Sequence, residues 1–145
     1  MRTLFPILGF FLFAAPATAE RDATAALVRL KLDDLAKAYG DPDPAGPAAI
    51  GHLKMDQTAQ HIFKLDPARS YLVLAACEDL CSHLELVAAD ASSGAIFEDD
   101  DRDEGDQPML EIAAGEIRSL SVKVDMSGCE KAGPCIYALG LYAQP

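Results

Sequence analysis

Three groups of side chains in this sequence have the types and spacing to do chemistry. The first is Glu98-Asp99-Asp100-Asp101-Arg102-Asp103-Glu104-Gly105-Asp106, seven acidic residues in nine. Calcium takes six to eight hard oxygen ligands in flexible geometry, and an oxygen-rich loop is what it needs. Asp99, Asp101 and Asp103 alternate as the first ligands of an EF-hand loop do, with Asp106 as a fourth carboxylate. The match then fails, because Glu104 stands where that loop needs glycine and Gly105 comes one residue late. A calcium site of another build would use these four aspartates, whereas charge runs of this kind are more often a solvated face.

The cysteines form the second group. Cys77 and Cys81 have C-x3-C spacing, and Cys129 and Cys135 have C-x5-C spacing. Neither fits the common zinc spacings or a C-x-x-C redox pair. An even number in an exported chain reads as two disulfides. Local pairing, Cys77 with Cys81 and Cys129 with Cys135, closes short loops worth about 2 kcal/mol each in the chain-entropy model. Crossed pairing needs both loops at one end of the fold. The third group is His52, His61 and His83, far apart in sequence and each on a predicted strand or its edge. They could gather around zinc, but scattered strand histidines are usually surface or hydrogen-bonded residues. Ser82-His83 beside Asp79 is too contiguous for a catalytic triad. The sequence has no Gly-rich phosphate loop, nucleophile elbow or His-Glu-x-x-His, which argues against an enzyme.

The elements that must position these groups follow from pattern. Residues 1–19 read as a secretory signal: Arg2, an apolar stretch over 4–15, and Ala17-Thr18-Ala19 as an A-x-A cleavage site. The apolar stretch is too short for a spanning helix. A mature chain starting at Glu20 would be periplasmic or secreted. The whole sequence carries a formal charge of −11, and removing Arg2 makes it more negative. Such a surface argues against nucleic acid and anionic membranes as partners and favours cations or basic proteins.

Residues 20–40 form the N-terminal helical segment, with the helix itself over 22–39. Leu27, Leu30, Leu35 and Ala38 recur at helical spacing, and packing of that stripe on the core is the expectation. Residues 41–47, Asp-Pro-Asp-Pro-Ala-Gly-Pro, read as a linker. Residues 48–145 read as one β domain with eight short strands, near 49–54, 58–65, 71–77, 84–89, 95–98, 109–112, 117–124 and 136–143. Met55-Asp56-Gln57 reads as a hairpin turn. The continuous apolar run of 71–77 predicts a strand buried on both faces, and the alternation over 84–89 a half-buried one. Were Cys77 to Cys81 extended, their Cα atoms would lie roughly 13 Å apart at ~3.3 Å per residue. A disulfide spans about 7 Å at most, so a Cys77–Cys81 bond requires a tight turn at Glu78-Asp79-Leu80. Together these predict a mainly β fold, an antiparallel β-sandwich with a preceding helix.

Several of the same residues resemble a known family. Tyr71 with Cys77, Cys81-Ser-His-Leu-Glu-Leu, Asp90 with Gly94, the acidic run, Pro108, Val122-x-Val124-x-Met126, and Cys129 with Pro134-Cys135-x-Tyr137 resemble exported bacterial β-sandwich domains. Those domains are similar to the pre-peptidase C-terminal domain, a jelly-roll module attached to secreted proteases. The resemblance covers about residues 48–143 and implies a jelly roll. This sequence departs from it in having no accompanying peptidase, and in Ser82, His83 and Glu85 partly replacing the usual acidic residues. The functional expectation is an exported non-enzymatic binding or accessory module, calcium-stabilised if the aspartates bind an ion. It would act through its loops or helix on another envelope or secreted protein. A purely structural or calcium-buffering envelope protein, and a hydrolase-associated domain, stay open.

Overall fold

Two strands of this protein have no solvent-facing side at all. The computed structural model describes residues 17–99, 105, 107–115 and 117–145, with no account of the side chains of 97–99. In it, every residue of β4 (Tyr71–Cys77) and of β9 (Cys135–Ala143) is buried. The reason is a layer on each side. Val73, Ala75, Cys77, Tyr137, Leu139 and Leu141 point into the space between two β-sheets. Leu72, Leu74, Ala76, Ile136, Ala138 and Tyr142 point the other way, against helix α1 (Ala17–Ala38). A strand alternates its side chains between faces, so burial on both faces demands an unbroken apolar run.

The helix buries Val28, Leu32 and Ala36, spaced four residues apart. Its C-terminus is closed by two hydrogen bonds, from Gly40 N to Lys37 O at 3.1 Å and from Asp41 N to Ala36 O at 3.0 Å. This is a Schellman cap, and Gly40 supplies the positive φ of 93° that it requires. Packing on the core is therefore as expected, but of the expected stripe only Leu35 packs there. Leu27 and Leu30 are 63% and 58% exposed. At 100° per residue Val28, Leu32 and Ala36 share one face, and Leu27 and Leu30 fall about 140° and 160° from its centre, on the side turned away from the sheet. Ala17-Thr18-Ala19, the first described residues, are already helical, ahead of the start expected at residue 22.

The remaining strands are β1 (Asp43–Pro44), β2 (Ala49–Leu53), β3 (Gln57–Lys64), β5 (Cys81–Asp90), β6 (Ile96–Asp99), β7 (Met109–Ile112) and β8 (Ser119–Cys129). One sheet runs β9-β4-β7, with β1 and β2 end to end along the outer edge of β9; the other runs β3-β8-β5-β6. The antiparallel pairs β2–β9, β3–β8, β4–β7 and β5–β6 nest inside one another along the chain. The chain is thus one long antiparallel ribbon wound between two sheets, which is the jelly-roll order.

That winding corrects three local expectations. Met55-Asp56-Gln57 does not turn a hairpin: β2 and β3 lie in different sheets, and the chain crosses the sandwich between them. The strand expected over 117–124 does not stop there: β8 runs on through Met126, Ser127 and Gly128 to pair Cys129 with Cys81. Asp43 and Pro44, in the segment read as a linker, pair with Ala143 and Tyr142. Among the described residues no helix covers the second sheet, and its strands alternate accordingly. On β5, Leu84, Leu86 and Ala88 are buried and the residues between them are partly exposed.

Candidate functional site

Both disulfides sit where the chain crosses from one sheet to the other, and both crossings lie at the same end. Cys77 is bonded to Cys81 and Cys129 to Cys135, each pair with Cα atoms 6.0 Å apart, and no described cysteine is free. The tight turn expected at Glu78-Asp79-Leu80 is closed by Cys81 N donating to Glu78 O at 2.9 Å. Crossed pairing was sterically within reach, since Cys81 lies opposite Cys129, yet the bonds are local.

Main-chain and side-chain bonds knit the two loops together. Glu130 N donates to Leu80 O at 2.8 Å, and Glu78 N to Ile136 O at 3.0 Å. The Glu78 carboxylate, only 11% exposed, accepts from Ile136 N at 2.7 Å and pairs with Lys131 Nζ at 2.6 Å. A buried carboxylate is tolerated when it is this fully engaged, and here it clamps one loop to the other. The helix is tied in by Lys31, whose Nζ donates to Cys77 O at 3.1 Å and pairs with Asp79 at 2.7 Å. That ammonium holds the Asp79 carboxyl below the usual carboxylate range, chiefly by their hydrogen bond.

Between the helix flank and this stapled corner lies a groove of about 410 Å³. Leu27, Leu30 and Leu80 line it, and Leu80 is 46% exposed. Asp34 and Asp79 stand on the rim with side chains 75% and 91% exposed, whereas Lys31 is 31% exposed. A second hollow of about 340 Å³ shares Thr24, Glu78 and Leu80 with the first and is lined further by Arg21 and His52. Apolar walls with a few polar groups at the rim, on a pre-formed frame, are what binding grooves look like. Pattern reasoning found the loop cysteines but not this groove. The signal was present: residues 27–35 hold more large aliphatics than one helical stripe can bury.

The histidines do not converge. His61 Nε2 is hydrogen-bonded to Tyr137 Oη at 2.7 Å, with the rings edge to face. His83 Nε2 meets Glu85 Oε1 at 2.9 Å, and His52 is exposed on β2. Ser127 Oγ donates to that same Glu85 oxygen at 3.4 Å. The carboxylate, not the imidazole, stands between serine and histidine, which is the wrong order for a nucleophile and its base. Asp79, bonded to Lys31, is not part of it. Among the described residues no three or more His, Cys, Asp or Glu are grouped to hold a metal ion. Asp101, Asp103 and Asp106, and the side chain of Asp99, lie outside the described residues. Gly105 is anchored beside β5, where Leu84 N donates to its oxygen at 3.3 Å.

No helix among the described residues is long and apolar enough to cross a membrane. In comparison with known proteins, the chain matches no family model and no curated sequence.

Proposed function

We propose that this chain is an exported, non-enzymatic accessory module that holds an apolar segment of another envelope or secreted protein in the groove beside α1. The observation that carries the reading is the set Leu27, Leu30 and Leu80, three large aliphatic side chains left exposed around one concavity. Exposed leucines that share a groove mark an interaction surface, whereas scattered ones need no explanation. Two features make the groove a prepared site. Its loop wall is held by a disulfide, the Glu78 clamp and Lys31, so little ordering entropy is lost on binding. Asp34 and Asp79 on its rim are paired with Lys37 and Lys31, and the net charge of −11 on the whole chain favours basic residues flanking the apolar segment.

Two disulfides are compatible with an oxidising compartment, the periplasm or the medium, and residues 1–19 supply the address in this reading. The jelly-roll order agrees with the resemblance to pre-peptidase C-terminal domains, which are attached to other proteins. The test is site-specific photocrosslinking in the producing cell from positions 27, 30 and 80, with position 69 as an exposed control. One exported protein crosslinked from the three groove positions and not from Arg69 is the expected result. The same background from all four would leave a structural or calcium-buffering protein as the better account.

A further inference from the structure

The groove beside α1 offers an occupant apolar contact and little to hydrogen-bond. Its polar side chains are already engaged. Thr24 Oγ1 donates to Glu20 O at 3.0 Å, and Asp34 is paired with Lys37 at 3.0 Å. Lys31 holds Asp79 and Cys77 O, and Glu78 is taken by Ile136 N and Lys131. What stays open is three leucines, Leu27 and Leu30 on α1 and Leu80 on the stapled corner.

The main chain of the walls is nearly as closed. One wall is helix, whose N–H and C=O groups bond along its own axis. In the other, Glu78 N donates to Ile136 O, Glu78 O accepts from Cys81 N, and Leu80 O accepts from Glu130 N. That leaves at most the backbone groups of Asp79 and the Leu80 amide. Two neighbouring residues of a turn cannot make a ladder, whose bonds to one side come from every second residue. An extended segment laid in the groove would keep its own N–H and C=O groups unpaired as water leaves, and each such group costs free energy. A helix brings them already bonded. The dimensions agree: from Thr24 to Asp34 the groove follows α1 for about 15 Å at 1.5 Å per residue, the length of a helix of roughly three turns.

We propose that the occupant is a basic amphipathic α-helix of the partner protein, seated lengthwise beside α1. Its large aliphatic side chains, at i, i+3, i+4 and i+7, turn into the groove. This rests on the reading of the groove as a binding site and adds the conformation and chemistry of what it holds. The basic character follows from charge. The rim carboxylates are neutralised pairwise, so the attraction comes from the −11 of the whole chain rather than from one ion pair. Packed so, the helix covers Leu27, Leu30 and Leu80 together, which neither the sheet nor the corner does.

Two synthetic peptides of identical composition test this, each of leucine, lysine and glutamine and about fourteen residues long, roughly four helical turns. One places its leucines at i, i+3, i+4 and i+7; the other alternates them with polar residues. Each is titrated into the intact chain while the methyl resonances of Leu27, Leu30 and Leu80 are followed by NMR. The helical-period peptide should move all three, gain helix by circular dichroism, and bind about tenfold or more tighter than the alternating one. Leu27→Asp with Leu30→Asp, both at exposed positions, should abolish that binding. Equal or tighter binding of the alternating peptide at the same methyls would overturn the helical occupant and leave the groove reading standing. Binding undiminished in the Leu27→Asp/Leu30→Asp variant would overturn it by placing the contact elsewhere. If neither peptide moves the three methyls, the helical occupant is also overturned, and photocrosslinking from positions 27, 30 and 80 judges the groove reading separately.

Discussion

His61 illustrates how one side chain can carry a condition on the whole fold. Its ring is bonded to Tyr137, which is almost wholly buried and lies over Gly51, where any Cβ would collide with it. Burial holds the His61 pKa below its ordinary value of 6.5. A depressed histidine pKa means that the unfolded chain takes up a proton before the folded one does, so stability is complete above about 6.5 and declines as pH falls below it. The depressed pKa of Asp79 and of Asp90, held down by bonds from Ser92, acts lower, as pH falls through and below the ordinary value of 3.8. Between about pH 6.5 and 5 the loss thus reports His61. Thermal melting across that window should show a fall that is much reduced in His61→Gln. An identical fall in both proteins would contradict the assignment. Nothing in the sequence distinguished His61 from His52, because which strand face is covered depends on strands far away in the chain.

At the scale of elements, the continuous apolar runs were the most legible part. The two-faced burial expected for residues 71–77 is what β4 has, and the alternation over 84–89 is what β5 has, since one sheet carries a helix and the other faces water. Sheet membership was not legible. A short turn such as 54–56 looks the same whether it joins neighbouring strands or carries the chain between sheets, because both need a tight reversal of similar residues. The helical stripe was misread for a related reason: four leucines and a valine offered more than one face, and only the mate, sheet β9-β4-β7, selects among them. The disulfide loops are these crossings. Peptide mapping of the unreduced protein should link Cys77 to Cys81 and Cys129 to Cys135, with no reactive thiol after unfolding. A fragment joining the 77–81 segment to the 129–135 segment would contradict the local pairing, and the closeness of Cys81 and Cys129 makes that a demanding test.

For the molecule as a whole, three layers divide the labour. The inter-sheet core and the helix face of sheet β9-β4-β7 supply stability, and the flank of α1 with the stapled corner supplies a surface that folding does not require. The acidic balance of the chain was plain from composition, but the groove arises only when helix and corner, some fifty residues apart in sequence, are brought together. The division predicts opposite consequences for leucines on the same helix. Leu32 is fully buried, and Leu32→Ala should cost about 3 kcal/mol in urea unfolding. Leu27→Ala with Leu30→Ala should stay within about 0.5 kcal/mol each of the parent, as exposed positions do. The most direct measurement combines that unfolding curve with crosslinking from position 80. In the Leu27→Ala/Leu30→Ala variant the expected result is near-parental stability with the crosslinked partner lost. A drop in stability like that of Leu32→Ala, or an undiminished crosslink, would contradict a groove made for recognition.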